Sequence, residues 1–378
     1  MRNNLFLGVA AVALIVPAAV SAQETTSQIR GTVTSGGQAV AGANITVLDV
    51  NSGTRSTSTT TSDGLFSFTG LRPGGPYTVT ISSASGTQTV TEIYTVVQQV
   101  YNLPIELADA GADAGGDIVI TASKVAGAGV RSDGPQTILT QADVAKVASV
   151  NRDIRDVERR DPFATIDLSN SGDRGGAVSF AGVNPRFNRF TINGVQVGDT
   201  FGLNQDASPT NRGPVPFDAI GQVATSVAPY DFRQSGFQGG AIDVALLKGT
   251  NEFHGTAFYS QNTDGLSGDE IGGTKIVLPK YKSETYGATF RGPLIKDKLF
   301  FMVSAERNTD PRPFSTQVAQ VPGLSVGTIN NVLGITSSRY TQVSPGGILT
   351  INPRKDEKIV GQIDWNITDR QKLSLSYI

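Results

Sequence analysis

The sequence has no cysteine and a single histidine, His254. Without thiols there is no disulfide framework, no thiolate metal site and no cysteine nucleophile. With one imidazole, a His-rich metal site or a Ser-His-Asp triad would have to be built around His254 alone. Charge is sparse. Charged residues are 17% of the chain and the formal net charge is −2, so nothing in the balance calls for nucleic acid or an anionic membrane face. Long apolar runs are missing too. Leu5 to Val16 is shorter than the roughly 20 residues of a spanning helix. It follows Arg2 and precedes Val20-Ser21-Ala22, the order of a secretory signal peptide, with Gln23 expected to start the mature chain. A protein that leaves the cytoplasm with no spanning helix enters a membrane only as a closed β-barrel.

What is present favours strands. Glycine is abundant at 43, and threonine and serine recur along the 378 residues, a length suited to two or three domains. Strands are expected at 28–34, 43–49, 54–61, 65–69, 77–82 and 100–107. Ser62-Asp63-Gly64 and Arg72-Pro73-Gly74-Gly75 supply turns between them. Leu65, Phe66 and Phe68, then Tyr77, Val79 and Ile81, give an apolar face of period two. Short strands at this density suggest a sandwich over 23–107. Gly31-Thr32-Val33, Ala41 to Val47, Thr61 to Phe68 and Leu71-Arg72-Pro73-Gly74 resemble the carboxypeptidase regulatory-like, or transthyretin-like, domain. That fold is grouped with carbohydrate-binding-like domains, but no exposed aromatic platform for sugar stands out, and a structural spacer is the expected role.

Residues 108–116 form a small-residue linker. The β-prone run Asp117-Ile118-Val119-Ile120-Thr121-Ala122 follows on that tether, before any domain to pair with, and so is available to a foreign sheet edge. Beyond it, 123–250 reads as an α+β domain. Thr140 and Asp143 have capping-box spacing, and Val144, Val147, Ile154 and Val157 mark one helix over 140–160. Arg152, Arg155, Arg159 and Arg160 are expected on its solvated faces. Asn193-Gly194 between alternating segments is a hairpin signal.

Gly175 to Val183 and Asn184 to Val195 resemble the plug of TonB-dependent outer-membrane receptors, in the Oar-like subgroup. Asp199 to Asn204, Pro216 to Ile220, Ala228 to Asp231, Ser235 to Asp243 and Lys248 to Gly255 extend the likeness. Val244-Ala245-Leu246-Leu247-Lys248 departs from the usual Val-Thr-Lys pattern. The resemblance implies a TonB box at Asp117, Ile118, Val119, Ile120, Thr121 and Ala122. It implies structural roles in the plug for Gly175, Gly176, Asn193 and Gly194. Arg186 and Arg189 could salt-bridge the barrel wall or face ligand, and the wall is the expected partner.

From 251 onward, strands are expected at 253–260, 283–292, 299–307, 358–367 and 372–378. The connections between them alternate long, short, long, short, as in an up-and-down outer-membrane barrel. Tyr259, Phe300, Phe301, Trp365 and Tyr377 are candidates for its aromatic girdles. The stretch after residue 250 is shorter than the roughly 220 strand residues of a plugged barrel of about 22 strands, so a fragment is expected. The whole reads as mainly β: signal peptide, β-sandwich, plug and the start of a transmembrane barrel. Energy-coupled uptake is the expected function, with TonB, outer-membrane lipid and an unidentified extracellular ligand as partners. The sandwich and plug would lie on the periplasmic side. The alternative is an anchored adhesin or a carbohydrate- or peptide-binding surface protein. No cofactor is implied, and no motif supports an enzyme.

Overall fold

The computed structural model describes residues 26–84, 86–107, 118–130, 134–149, 152–167, 176–199, 208–210, 212–228, 236–275, 280–313, 322–342, 344–348, 351–352, 354–368 and 371–378. The expected signal peptide, the linker, Asp117 and Gly175 lie outside the described residues. No helix among the described residues is long and apolar enough to cross a membrane.

The N-terminal domain is a sandwich of two sheets. One is centred on Ser27–Ser35, which pairs with Gln38–Ala39, Leu65–Leu71, Val100–Asn102 and Ile105–Leu107. The other has the order Ile118–Thr121, Gly86–Thr95, Gly74–Ser83, Asn44–Asp49, Arg55–Thr59. Alternate residues meet between the sheets: Ile29 and Val33 from one, Ile45, Val47, Val79, Ile81 and Val90 from the other. The sequence did not suggest Gly86–Thr95. Its Thr87, Thr89 and Thr91 dilute the apolar signal, and Glu92 at φ 61° interrupts the alternation. The domain also extends past residue 107. Gly129–Val130 pairs with Val100–Asn102, and Ala122 is buried in the sandwich core.

The middle domain holds a five-stranded sheet in the order Gln136–Thr140, Ile220–Val227, Gly240–Leu246, Arg189–Ile192, Val195–Gln196. Ala164–Asp167 and Ala177–Phe180 form a separate antiparallel pair. The single helix expected over 140–160 is two short ones, Gln141–Ala145 and Arg155–Glu158. The capping box of Thr140 and Asp143 is formed at the first. Between them the chain reverses through Arg152, at φ 52°, and Ser149 Oγ accepts from the Asp153 amide at 2.9 Å. That reversal lets Ile154 and Val157 turn inward together.

The C-terminal region is a five-stranded antiparallel sheet, His254–Thr263, Lys282–Ile295, Leu299–Thr309, Lys355–Asn366 and Lys372–Tyr377, in chain order. Strands of 10, 14, 11 and 12 residues lead it, enough to cross a bilayer at a tilt. Ile295 to Leu299 and Asn366 to Lys372 are short turns at one end. The long connections are at the other, and the second carries the helix Val326–Arg339, read from the sequence as loop. Ser325 caps that helix by accepting from the Thr328 amide at 3.0 Å.

The register divides the sheet into two chemistries. Ala257, Ala288, Ala305 and Ile359 align across neighbouring strands, as do Phe290 with Val303, Phe301 with Ile363, and Trp365 with Leu373. This face is apolar. Tyr259 and Tyr286 stand opposite one another toward the long connections, and Trp365 lies beside the short turns. Tyrosine and tryptophan at the two ends are what a lipid-facing band requires. The other face carries Thr289, Ser304, Glu306, Asn308, Lys358, Gln362 and Asp364, all buried. Phe300 belongs to that inner face and is fully buried, so it is not a girdle residue. Strand pleating separates it from Phe301 next to it.

Candidate functional site: a polar seam and a docked strand

The middle domain lies against the inner face of the sheet. Met302 and Val360 from the wall belong to its apolar cluster, with Val223, Val244 and Leu246. Around them runs a polar seam. Arg152 Nε is 2.9 Å from Glu306 Oε2, and Arg152 Nη2 is 2.6 Å from Asp218 Oδ1. The guanidinium lies 3.6 Å from the centroid of the Phe258 ring and 5.3 Å from that of Phe217. Lys358 Nζ approaches the other oxygen of Glu306 at 3.5 Å. Higher along the wall, toward the long connections, Arg212 Nη2 meets Asp310 Oδ2 at 3.0 Å. Charges taken out of water need partners of this kind. Gly287 makes room for the stack, since a Cβ there would be 2.8 Å from the Phe258 ring and 2.6 Å from the Ala305 carbonyl.

Among the described residues, the arginine ion pairs from the middle domain to the wall are made by Arg152 and Arg212, while Arg186 and Arg189 are placed elsewhere. Arg189 is buried inside the middle domain, with Asp243 at 3.6 Å and the Phe237 ring at 4.9 Å. Burial raises the Asp243 carboxyl, while the Thr191 hydroxyl and Arg189 act against it. Arg186 is exposed on a one-turn helix, Pro185–Phe187, capped by Asn184. The expectation that Arg152 and Arg155 face solvent is likewise overturned. Arg155 is buried and donates to the Gly176 carbonyl at 2.9 Å. Arg159 and Arg160 are exposed. A lone sequence shows an arginine but not the carboxylate that meets it from a distant strand.

Asn193 and Gly194, at φ 49° and 82°, make the two-residue turn from Arg189–Ile192 to Val195–Gln196. The Asn193 side chain does more than turn the chain. Its Oδ1 accepts from the Leu246 amide at 2.9 Å, and its Nδ2 donates to Gln362 Oε1 at 3.2 Å and Ser376 Oγ at 3.3 Å. One residue thus ties the hairpin to the sheet and to the wall.

The sandwich sits at the short-turn end of the wall. Arg72 Nη2 donates to Asn366 Oδ1 at 2.8 Å, and Arg72 Nε is 3.8 Å from Asp364. Asn366 Nδ2 donates to Thr54 Oγ1 at 2.7 Å. Asn251 joins the Ser52 carbonyl, at 3.0 Å, to Asp297 in the first short turn. Lys248, where the middle domain passes into the first wall strand, donates to the Pro73 carbonyl at 2.6 Å. It lines a cavity of about 190 Å³ between the three parts of the chain. Burial there lowers its ammonium to about 7, against the opposing pull of Asp364.

Ile118–Thr121, expected on a free tether, is docked. It runs parallel to Gly86–Thr95 with Ile118 opposite Gln88, Val119 opposite Thr89, Ile120 opposite Val90 and Thr121 opposite Thr91. Its partner strand was the one hidden in the sequence, so the pairing was hidden with it. Ile120 packs on the sandwich core and Ala122 is within it, whereas Ile118 and Val119 are exposed. His254 begins the first wall strand and is exposed. Among the described residues no group of three or more His, Cys, Asp or Glu is placed to hold a metal ion.

Two stretches of the chain match known families. Residues 28–108 match the carboxypeptidase regulatory-like domain and 245–346 match an outer membrane beta barrel domain. The probable TonB-dependent siderophore receptor PirA of Acinetobacter baumannii is 26% identical over 250 residues, covering 63% of this chain and 28% of its own length. The chain thus spans under a third of that relative. Among solved structures, the outer membrane transporter YddB from Escherichia coli has a TM-score of 0.45 at 15% identity, over 64% of this chain and 32% of its own. The ferric yersiniabactin uptake receptor FyuA from Yersinia pestis has a TM-score of 0.41 at 14% identity, over 65% and 32%. The two domain matches and the sequence relationship carry the assignment. The chain contains a carboxypeptidase regulatory-like domain and an outer membrane β-barrel region, and it is homologous to TonB-dependent receptors of the Gram-negative outer membrane.

Proposed function

For a homologue of the TonB-dependent receptors, we propose energy-coupled uptake of an extracellular ligand across the outer membrane. In this reading the middle domain is the plug, and Ile118–Thr121 is the strand by which the periplasmic domain of TonB engages the receptor. The observation that carries it is the polar seam. Arg152, Arg212 and Asn193 hold the middle domain to Glu306, Asp310 and Gln362 by contacts that water and charge can replace. A purely apolar interface would resist such movement, while paired polar groups around a small apolar contact can exchange partners for water as a plug rearranges under load.

Chain direction supports the same reading. Ile118–Thr121 precedes the plug and lies with the sandwich, and the sandwich contacts the short-turn end of the wall. Short turns face the periplasm in outer-membrane barrels, where TonB operates. The long connections at the other end would meet the ligand. Backbone pairing would supply most of the TonB affinity.

The test is calorimetric titration of the detergent-solubilised full chain with the periplasmic domain of TonB, beside a Val119→Pro variant that breaks the strand ladder. Micromolar binding that the proline abolishes is the expected result. No binding by folded parent chain would reject TonB coupling and leave an anchored binding protein.

A further inference from the structure

Resting on the reading of Ile118–Thr121 as the TonB-engaging strand, we infer that TonB adds to this strand while it stays docked on the sandwich. The partner strand would become the sixth of that sheet, beside Ile118–Thr121 rather than in place of Gly86–Thr95.

A strand has two hydrogen-bonding edges. One edge of Ile118–Thr121 is used by Gly86–Thr95. The other carries no strand among the described residues, because Ile118–Thr121 is the last in the order of its sheet. The edge lacks the usual protection. Natural edge strands are blunted by lysine, proline or an inward charge, and Ile118-Val119-Ile120-Thr121 has none of these. The opposite edge of the same sheet, Arg55–Thr59, begins with an arginine and is otherwise serine and threonine. Ile118 is 45% and Val119 63% exposed, so a hydrophobic edge stands uncovered. It fits an extended peptide strand with apolar side chains.

Release would cost more than four residues of ladder. Thr91 Oγ1 donates to the Ile120 carbonyl at 3.4 Å, and Ala122 is 4% exposed within the sandwich core. Val125 and Val130 pack on the same core, and Gly129–Val130 completes the other sheet. Residues 118–130 thus strap the sandwich across both sheets. Docking also holds the strand extended before the partner arrives, so ordering it costs nothing further on binding.

The test locks the strand in place. Thr89 and Val119 are register partners, and the native chain has no cysteine, so Thr89→Cys with Val119→Cys permits one disulfide only. The full chain in detergent is titrated with the periplasmic domain of TonB, reduced and oxidised. The inference expects both forms to bind with Kd values within about threefold of each other. Binding by the reduced form and a larger loss on oxidation would overturn it, because release would then be required. Binding by neither form nor the parent would reject the reading of Ile118–Thr121 itself, and the inference with it.

Discussion

Arg152 Nε and Glu306 Oε2 lie 2.9 Å apart, joining the reversal between two short helices of the middle domain to the inner face of the third wall strand. Both side chains are largely buried, and Asp218, Lys358 and Asp356 extend the network. Removing one member leaves the others uncompensated. Arg152→Ala is expected to lower stability by about 3 kcal/mol. Glu306→Gln, which keeps the shape, should cost less. Denaturant unfolding of the detergent-solubilised chain measures both, and a loss for Arg152→Ala under about 0.5 kcal/mol would contradict a load-carrying seam.

Two wall glycines make contrasting predictions. At Gly287 a Cβ would collide with the Ala305 carbonyl at 2.6 Å, whereas at Gly361 no atom lies within 4 Å. Gly287→Ala is expected to cost about 1–3 kcal/mol and Gly361→Ala less than about 0.5 kcal/mol. Equal losses in unfolding midpoint would show that the register between the second and third wall strands differs from that described.

Asn193→Ala removes three side-chain hydrogen bonds and puts alanine at φ 49°. A loss of about 2 kcal/mol is expected. The variant should also increase amide exchange in Val195–Gln196 and at Leu246, whose amide Asn193 holds. Unchanged exchange there would remove Asn193 from the seam.

What could be read beforehand follows the range of the interaction. Thr140 and Asp143 sit three apart and their capping box is local, so it was legible. Wall strands were legible because Ile359, Ile363 and Trp365 alternate with buried polar residues. The reversal at Arg152 was not. Its reasons lie at Glu306 and Asp218, far along the chain. Arg186 and Arg189 looked as suitable for wall contact as Arg152, since arginine advertises charge but not direction. The helix Val326–Arg339 did leave a local trace, the Ser325 cap ahead of Val326, Ile329 and Leu333, and glycine content masked it. The docked strand failed differently, because its partner Gly86–Thr95 is too rich in threonine to announce itself.

Lys248 gives a pH prediction. Its ammonium is held at about 7 in the folded chain, against 10.5 for the free side chain. Between those values the unfolded chain binds more protons, so stability rises with pH through this window and lies at its lower plateau below it. Lys248→Met removes this contribution. The slope of unfolding midpoint against pH, between about pH 7 and 10, should flatten relative to the parent. An identical slope would place the titration elsewhere.

Under the proposed function, TonB takes hold of the chain through Ile118–Thr121. Hydrogen exchange of the full chain in detergent, with and without the periplasmic domain of TonB, reads this engagement at the strand itself. Added TonB is expected to slow exchange at the amides of Ile118 to Thr121 while the middle-domain sheet, Ile220–Val227 and Gly240–Leu246, is unchanged. Exchange at Ile118 to Thr121 that does not respond to TonB would contradict it.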